Sequence, residues 1–204
     1  MKQQSSHHNA NDQTLIQRWQ NGEAEAFDQL YVTHSPAIYR LGWAMLRQAQ
    51  AAEDVVQETF LRAHKARMRF DPGRASFGTW LYQIALNYCR SYLRRKKLMT
   101  VPWLRPTGEQ PDLPDGRPGP EIHALRSEYQ RLLWQAVQKL SAPLKEAIIL
   151  HYYMELPAVE IAAMLDCPEG TIYSRLHNAR RRLAELLAEK GISAPEMAEA
   201  RNAH

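Results

Sequence analysis

Residues 166–183 read "DCPEGTIYSRLHNARRRL". A Pro and a Gly stand just before an apolar stripe of helical spacing, and three arginines stand together near its end. At about 100° per residue, Ile172, Leu176, Ala179 and Leu183 fall on one side, which predicts a buried face. Ser174, His177, Asn178 and Arg181 fall opposite, flanked by Thr171, Tyr173 and Arg175. A solvated helix is usually filled with paired Glu and Lys at i, i+4. This one has no acid between Thr171 and Ala184. Its hydroxyl, amide and imidazole groups suit base edges in the major groove of DNA, and its arginines suit phosphates. Upstream, Pro157–Leu165 reads as a short helix and Asp166–Gly170 as a turn, before a long helix from Thr171 to Ala188. Short helix, tight turn and longer helix make a helix-turn-helix candidate. The same pattern also occurs as a plain structural corner, so this stretch alone leaves both readings open.

Further upstream, Tyr129, Leu132, Leu133, Ala136, Val137 and Leu140 form another amphipathic stripe. Ser141 and Pro143 then restart the chain as N-cap and first-turn residues, opening a helix to about Tyr153. Before this domain, "VPWLRPTGEQPDLPDGRPGP" (Val101–Pro120) holds six of the twelve prolines and three glycines. Proline removes backbone donors, so no regular element is expected there. The expected organisation is a polar tail at 1–11, a domain at 12–97, a linker at 98–120, a domain at 121–190 and a tail at 191–204. Trp103 and Leu104 are apolar for a linker, and docking on some surface is expected of them. Ser193 and Glu196 resemble a capping box.

The first domain divides by charge. Asp12–Phe60 holds three basic and seven acidic residues, whereas Leu61–Lys97 holds ten basic residues and one acid. That asymmetry points to two partners, one of them polyanionic, against the alternative of a solvated basic face. Phe77, Trp80, Leu81, Ile84 and Tyr88 make one helical stripe. Gln83, Asn87, Arg90 and Arg94 lie on the other side, extended by Arg95, Lys96 and Lys97. "MRFDPGRAS" before it is a loop by its Asp-Pro-Gly. Basic groups track phosphates and aromatic rings stack on unpaired bases. Core packing is the better reading for Phe77, Trp80 and Tyr88, and a nucleic-acid surface for Phe70, Arg74 and Ser76. In "AAEDVVQETFLRAHK", Asp54, Gln57 and Glu58 share one face while Val55 and Val56 point to a core. Acids near a helix start can be plain dipole compensation, and taken alone that reading is the better one for this face.

Helical spacing nearly everywhere and no convincing alternating run predict an all-α fold of two small domains. Two cysteines, Cys89 and Cys167, are too few for a disulfide scaffold and lack metal-ligand spacing. A reduced, cytoplasmic setting is expected. No stretch is apolar enough for a membrane span, and the polar N-terminus has no signal-peptide core. His7 and His8 have no further ligand nearby, so neither a metal nor a cofactor is expected. No Gly-rich phosphate loop, HExxH or Cys/His pattern marks an enzyme.

Three motifs in order, "AEDVVQETFLRAH", "FGTWLYQIALNYCRSYLRR" and "LPAVEIAAMLDCPEGTIYSRLHNARRRL", resemble bacterial sigma-70 family factors of the extracytoplasmic-function (ECF) group. The resemblance covers about Gln13–Lys97 and Arg126–Leu187. It implies two DNA-binding domains, regions 2 and 4, and core RNA polymerase as partner through its clamp coiled coil and flap. It places Asp54, Gln57 and Glu58 on the clamp. It implies that the loop Arg69–Phe77, with Phe70, Arg74 and Ser76, and then Trp80, Gln83 and Asn87, open the promoter −10 element and hold a flipped base. Arg90, Arg94 and Arg95 would lie near phosphates. Tyr173, Ser174, His177 and Asn178 would read the −35 element, with Thr171, Arg175, Arg180 and Arg181 on phosphates. An anti-sigma protein is a further implied partner. Many members carry a basic residue where Tyr173 and Asn178 stand, so a borrowed −35 sequence is unsafe. The alternative, a stand-alone helix-turn-helix regulator, explains Thr171–Leu183 but not the basic, aromatic first domain.

Overall fold

The computed structural model describes residues 12–99 and 120–191, with side chains placed at 12–96 and 128–191. The expectations for His7, His8, Trp103, the rest of the linker, Ser193 and Glu196 lie outside the described residues. The described residues are mostly helical, with no strand among them, and fall into two compact units on either side of residue 111. No helix among them is long and apolar enough to cross a membrane.

The first unit contains α1 (12–20), α2 (Ala24–Leu46), α3 (Ala49–Lys65), a single 3-10 turn (Arg67–Arg69) and α4 (Phe77–Met99). Each long helix buries one stripe. Leu30, Ile38 and Leu41 of α2, Val55 and Phe60 of α3, and Phe77, Leu81 and Cys89 of α4 are all nearly sealed from solvent. Trp80 and Ile84, on the same predicted stripe of α4, are half-buried. Trp19 closes the aromatic end of this core. Its indole stacks on Phe27 at 5.5 Å, meets the Phe77 ring edge at 5.7 Å, and donates to His64 Nδ1 at 3.4 Å. A buried indole N–H needs such an acceptor, since leaving it bare costs about 1–3 kcal/mol.

Helix α2 runs through Pro36, which removes the bond to the carbonyl of Val32. Val32 is 72% exposed, so water can take up that carbonyl. The helix ends at Arg47, which adopts a left-handed conformation (φ 55°) and lays its guanidinium 3.3 Å from the Trp43 ring centre.

The second unit contains α5 (Pro120–Gln138), α6 (Ala142–Ile148), a π turn (Ile149–Tyr153), α7 (Ala158–Leu165) and α8 (Glu169–Ala188). Ser141 opens α6 in an extended conformation with proline in its first turn, but its side chain makes no cap bond. The π turn ends that helix through Met154 N–H to the Ile149 carbonyl at 2.9 Å. His151 Nδ1 then donates to the Leu156 carbonyl at 2.9 Å, tying down the entry to α7. Helix α7 stops at Asp166, which is left-handed (φ 50°), while Cys167 N–H returns to the Ala162 carbonyl. Pro168 then starts α8. The predicted stripe Ile172, Leu176, Ala179 and Leu183 is buried in full.

The long helix therefore starts at Glu169 rather than Thr171. Proline fits the opening position of a helix because its fixed φ is already helical and its missing N–H would go unused. That brings Glu169 onto the helix surface, with consequences given below.

Gly42 sets how closely α2 and α3 approach. A Cβ there would stand 3.0 Å from Val55 Cβ and 3.2 Å from Ala52 Cα. The second of these is backbone and cannot rotate away. Gly42→Val should therefore lower the stability of the first unit by about 1–3 kcal/mol through overpacking, despite removing a helix glycine. Urea melts read by far-UV circular dichroism measure this; an unchanged midpoint would contradict the close approach.

Candidate nucleic-acid interface

Burial of Ile172, Leu176, Ala179 and Leu183 turns the opposite side of α8 outward. Tyr173, Ser174, His177, Asn178, Arg180 and Arg181 are all exposed, and Thr171 and Arg175 lie half-buried at its edges. Within the described residues, no hydrogen bond or ion pair engages Arg175, His177, Asn178 or Arg181. The others are partly engaged. Ser174 Oγ donates to the Thr171 carbonyl at 2.9 Å, which leaves its lone pairs outward. Arg180 reaches the Tyr152 hydroxyl at 3.5 Å. Arg182, the last of the three consecutive arginines, pairs with Glu185 at 2.8 Å. The arginine run thus divides into an internally paired member and two that face outward.

Tyr173 is 57% exposed, and its hydroxyl donates to Glu169 Oε1 at 3.0 Å. Donating that hydrogen bond favours the protonated phenol, and ionising it would also set two anions together, so its pKa is raised. Sequence reasoning missed Glu169 because it placed the helix start two residues late. The i, i+4 spacing to Tyr173 was the available signal.

In the first unit, the outer side of α4 presents Gln83, Asn87, Arg90, Arg94 and Arg95, all exposed. Arg90 Nη1 donates to Asn87 Oδ1 at 3.3 Å, and Arg95 stands 5.8 Å over the Tyr88 ring. The loop before α4 is more structural than a presented surface would need. Phe70 is buried, with its ring 5.5 Å from Phe77 and 5.0 Å from the half-buried Trp80. Ser76 Oγ accepts the Thr79 N–H at 3.1 Å and contacts Thr79 Oγ1 at 2.8 Å, which makes it the N-cap of α4. Asp71 accepts the Gly73 N–H and pairs with Arg74 at 3.4 Å, but Arg74 is almost fully exposed. A small recess lies behind the loop, lined by Asp12, Ile16, Phe70, Pro72, Ser76 and Phe77.

Asp54, Gln57 and Glu58 occupy the outer side of α3, with Val55 and Val56 buried beneath. Glu58 pairs with Arg62 at 3.0 Å. A shallow groove beside them runs between α2 and α3, past Tyr31, Pro36, Tyr39, Val56 and Gln57.

Comparison with known proteins matches Sigma-70 region 2 at residues 30–98 and Sigma-70 region 4 at residues 130–183. The chain belongs to the sigma-70 family. Its group is the ECF one, as its relatives show. It is 33% identical over 186 residues to RNA polymerase sigma-H factor of Pseudomonas aeruginosa, covering 86% of this chain and 93% of that one. It is 32% identical over 180 residues to the ECF RNA polymerase sigma-E factor of Escherichia coli K12, covering 83% and 90%. Two solved structures are similar. One is CnrH in complex with the cytosolic domain of CnrY, at TM-score 0.66 and 27% identity, covering 88% of this chain and 98% of that chain. The other is sigma factor RpoE with the anti-sigma factor NepR from Bartonella quintana, at TM-score 0.63 and 26% identity, covering 81% and 98%.

The chain is thus an alternative RNA polymerase sigma factor, and the stand-alone regulator is not favoured, because region 2 is present as well as the helix-turn-helix. The two matched segments contain α3, α4, α7 and most of α8, but not α1.

The Glu169–Tyr173 pair is directly checkable. In protein labelled with carbon-13 at tyrosine Cζ, Tyr173 should titrate above the ordinary phenol range, and Glu169→Gln should return it there. An unchanged titration would show that the pair does not form in solution.

Proposed function

We propose that three surfaces of this sigma factor divide the work of promoter recognition. Asp54, Gln57 and Glu58 dock on the clamp coiled coil of core RNA polymerase, and the second unit meets the flap. Arg74, Ser76, Trp80, Gln83 and Asn87 meet the opened −10 strand, with Arg90, Arg94 and Arg95 on phosphates. Phe70, being buried, supports Trp80 from beneath rather than meeting DNA itself. Tyr173, Ser174, His177 and Asn178 read the −35 element in the major groove, and Thr171, Arg175, Arg180 and Arg181 fix register on phosphates. The polymerase performs the chemistry, so this chain supplies no catalytic group.

The observation that carries this reading is the outer side of α8. It is exposed, rich in base-edge donors and acceptors, and without an acid from Thr171 to Ala184. Pairing an anionic duplex with this helix brings no like-charge repulsion along that span. Of the carboxylates that border this span, Glu169 is held by Tyr173 and Glu185 by Arg182. The chain works in the cytoplasm, where the polymerase is. The CnrH and RpoE structures each hold a partner chain, and by that likeness an anti-sigma protein keeps this chain inactive until a signal releases it.

Run-off transcription tests the whole reading. Core polymerase plus this chain should initiate on a promoter with matching −35 and −10 elements. A transcript that appears only when a second sigma factor is added would overturn it. Single substitutions test the division of labour in α8. Asn178→Ala should cost about 1–3 kcal/mol of binding, chiefly against the preferred −35 duplex. Arg181→Ala should weaken binding to all sequences alike and reduce the salt slope by about 1. Equal losses across sequences for Asn178→Ala, or an unchanged slope for Arg181→Ala, would contradict those roles. Fluorescence anisotropy over a salt series reads both.

A further inference from the structure

Helix α1 touches the loop before α4 at both of its ends. At the start of the helix, Asp12 bonds His34 Nε2 at 2.9 Å, and the His34 ring packs edge-on against Phe77 at 5.2 Å. Asp12 and Ile16 also line the recess behind the loop. At the end of the helix, the Gln20 side chain crosses to the 3-10 turn. Its Nε2 donates to the Arg67 carbonyl at 2.9 Å and to the Phe70 carbonyl at 3.2 Å. One nitrogen carrying two hydrogens meets two carbonyl oxygens, a task that a primary amide can perform and a carboxylate cannot. The turn needs this support. Its own closing bond, Phe70 N–H to the Arg67 carbonyl, is long at 3.4 Å. Phe70 in turn lies against both Phe77 and Trp80.

We propose that Gln20 is a positioning residue for promoter opening: its amide fixes the 67–70 turn, and through Phe70 it sets the loop and Trp80 that receive the −10 strand. Gln20 lies ahead of the residues matched as region 2. The proposal rests on the assignment of this loop to the −10 element. Without the amide, the turn keeps its Arg69 N–H to Ala66 carbonyl bond at 2.8 Å, but at its exit only the long Phe70 bond remains, and the loop that follows samples other conformations. A binding-competent loop that is populated less of the time lowers apparent affinity for the opened strand by that fraction.

The test uses the full-length chain with core polymerase and two readouts. Hydrogen exchange followed by mass spectrometry reports the order of the loop over residues 67–76. Fluorescence of 2-aminopurine in the −10 non-template strand reports opening. Gln20→Glu keeps the shape but sets a carboxylate against two carbonyls. Gln20→Lys keeps donors on an unbranched stem. Gln17→Glu, on the exposed side of the same helix, is the control. Losing two hydrogen bonds of ordinary net strength corresponds to about tenfold or more. Gln20→Glu should therefore speed exchange in the loop and lower opening by about tenfold each. Gln20→Lys should recover much of both, and Gln17→Glu should change neither. Affinity for core polymerase should hold in all three. Loop exchange unchanged in Gln20→Glu, or equal losses in the Glu and Lys variants, would overturn the proposal. Arg74→Ala separates it from the assignment beneath it. If that variant also leaves opening intact, the loop assignment is at fault; if it lowers opening while Gln20→Glu does not, the Gln20 role is at fault.

Discussion

A helix packed on one side of a small unit can bury only one stripe of its surface, and both ends of this protein follow from that constraint. Helix α8 spends its stripe on Ile172, Leu176, Ala179 and Leu183, and helix α4 on Phe77, Leu81, Leu86 and Cys89. Once those side chains are sealed, the opposite faces are fixed in orientation without any further device. The polar residues there need not hold themselves in place, because the core holds the helix. This is why exposed residues such as His177 and Asn178 can stand without partners of their own among the described residues and still be aimed.

The two units use different means to set their loops. In the second, backbone geometry does the work. The left-handed Asp166, the Cys167 return to Ala162 and Pro168 stop one helix and start the next within three residues. In the first, side chains do it. Gln20 holds the turn, Phe70 wedges between Phe77 and Trp80, and Ser76 caps the following helix. A tight turn determined by its own φ angles is stiff. A longer loop held by side chains depends on each of them. The aromatic cluster around Phe77 therefore links α1, α2 and α4 to the loop through one ring.

The helices were legible because their periodicity is strong. The α8 stripe is buried residue for residue as the wheel placed it, and Val55 and Val56 lie under the acidic side of α3 as expected. The family was legible too, because three motifs occur in order. Less legible was everything that depends on where a helix begins or on a contact far along the chain. Reading Asp166–Gly170 as a turn left Glu169 off the helix and hid its bond to Tyr173. Phe70 read as a surface residue because it lies in the Asp-Pro-Gly loop, yet apolar rings on α4 bury it. Nothing in the sequence joins Gln20 to Arg67 and Phe70, which lie 47 and 50 residues away.

The Glu169–Tyr173 bond sharpens the meaning of the sequence departure at position 173. A basic side chain at that point of the helix would bring a charge and donors toward DNA. Tyr173 brings neither, because its one hydroxyl proton is directed at Glu169. What remains outward is an oxygen that accepts and a ring that packs. In the major groove, acceptors complement the amino groups of adenine and cytosine, and rings complement the thymine methyl. A guanine edge, which offers two acceptors, has nothing to gain from such a side chain. On the proposed −35 reading, Tyr173 would therefore contribute as much by what it declines to pair with as by what it contacts, with Glu169 setting that choice.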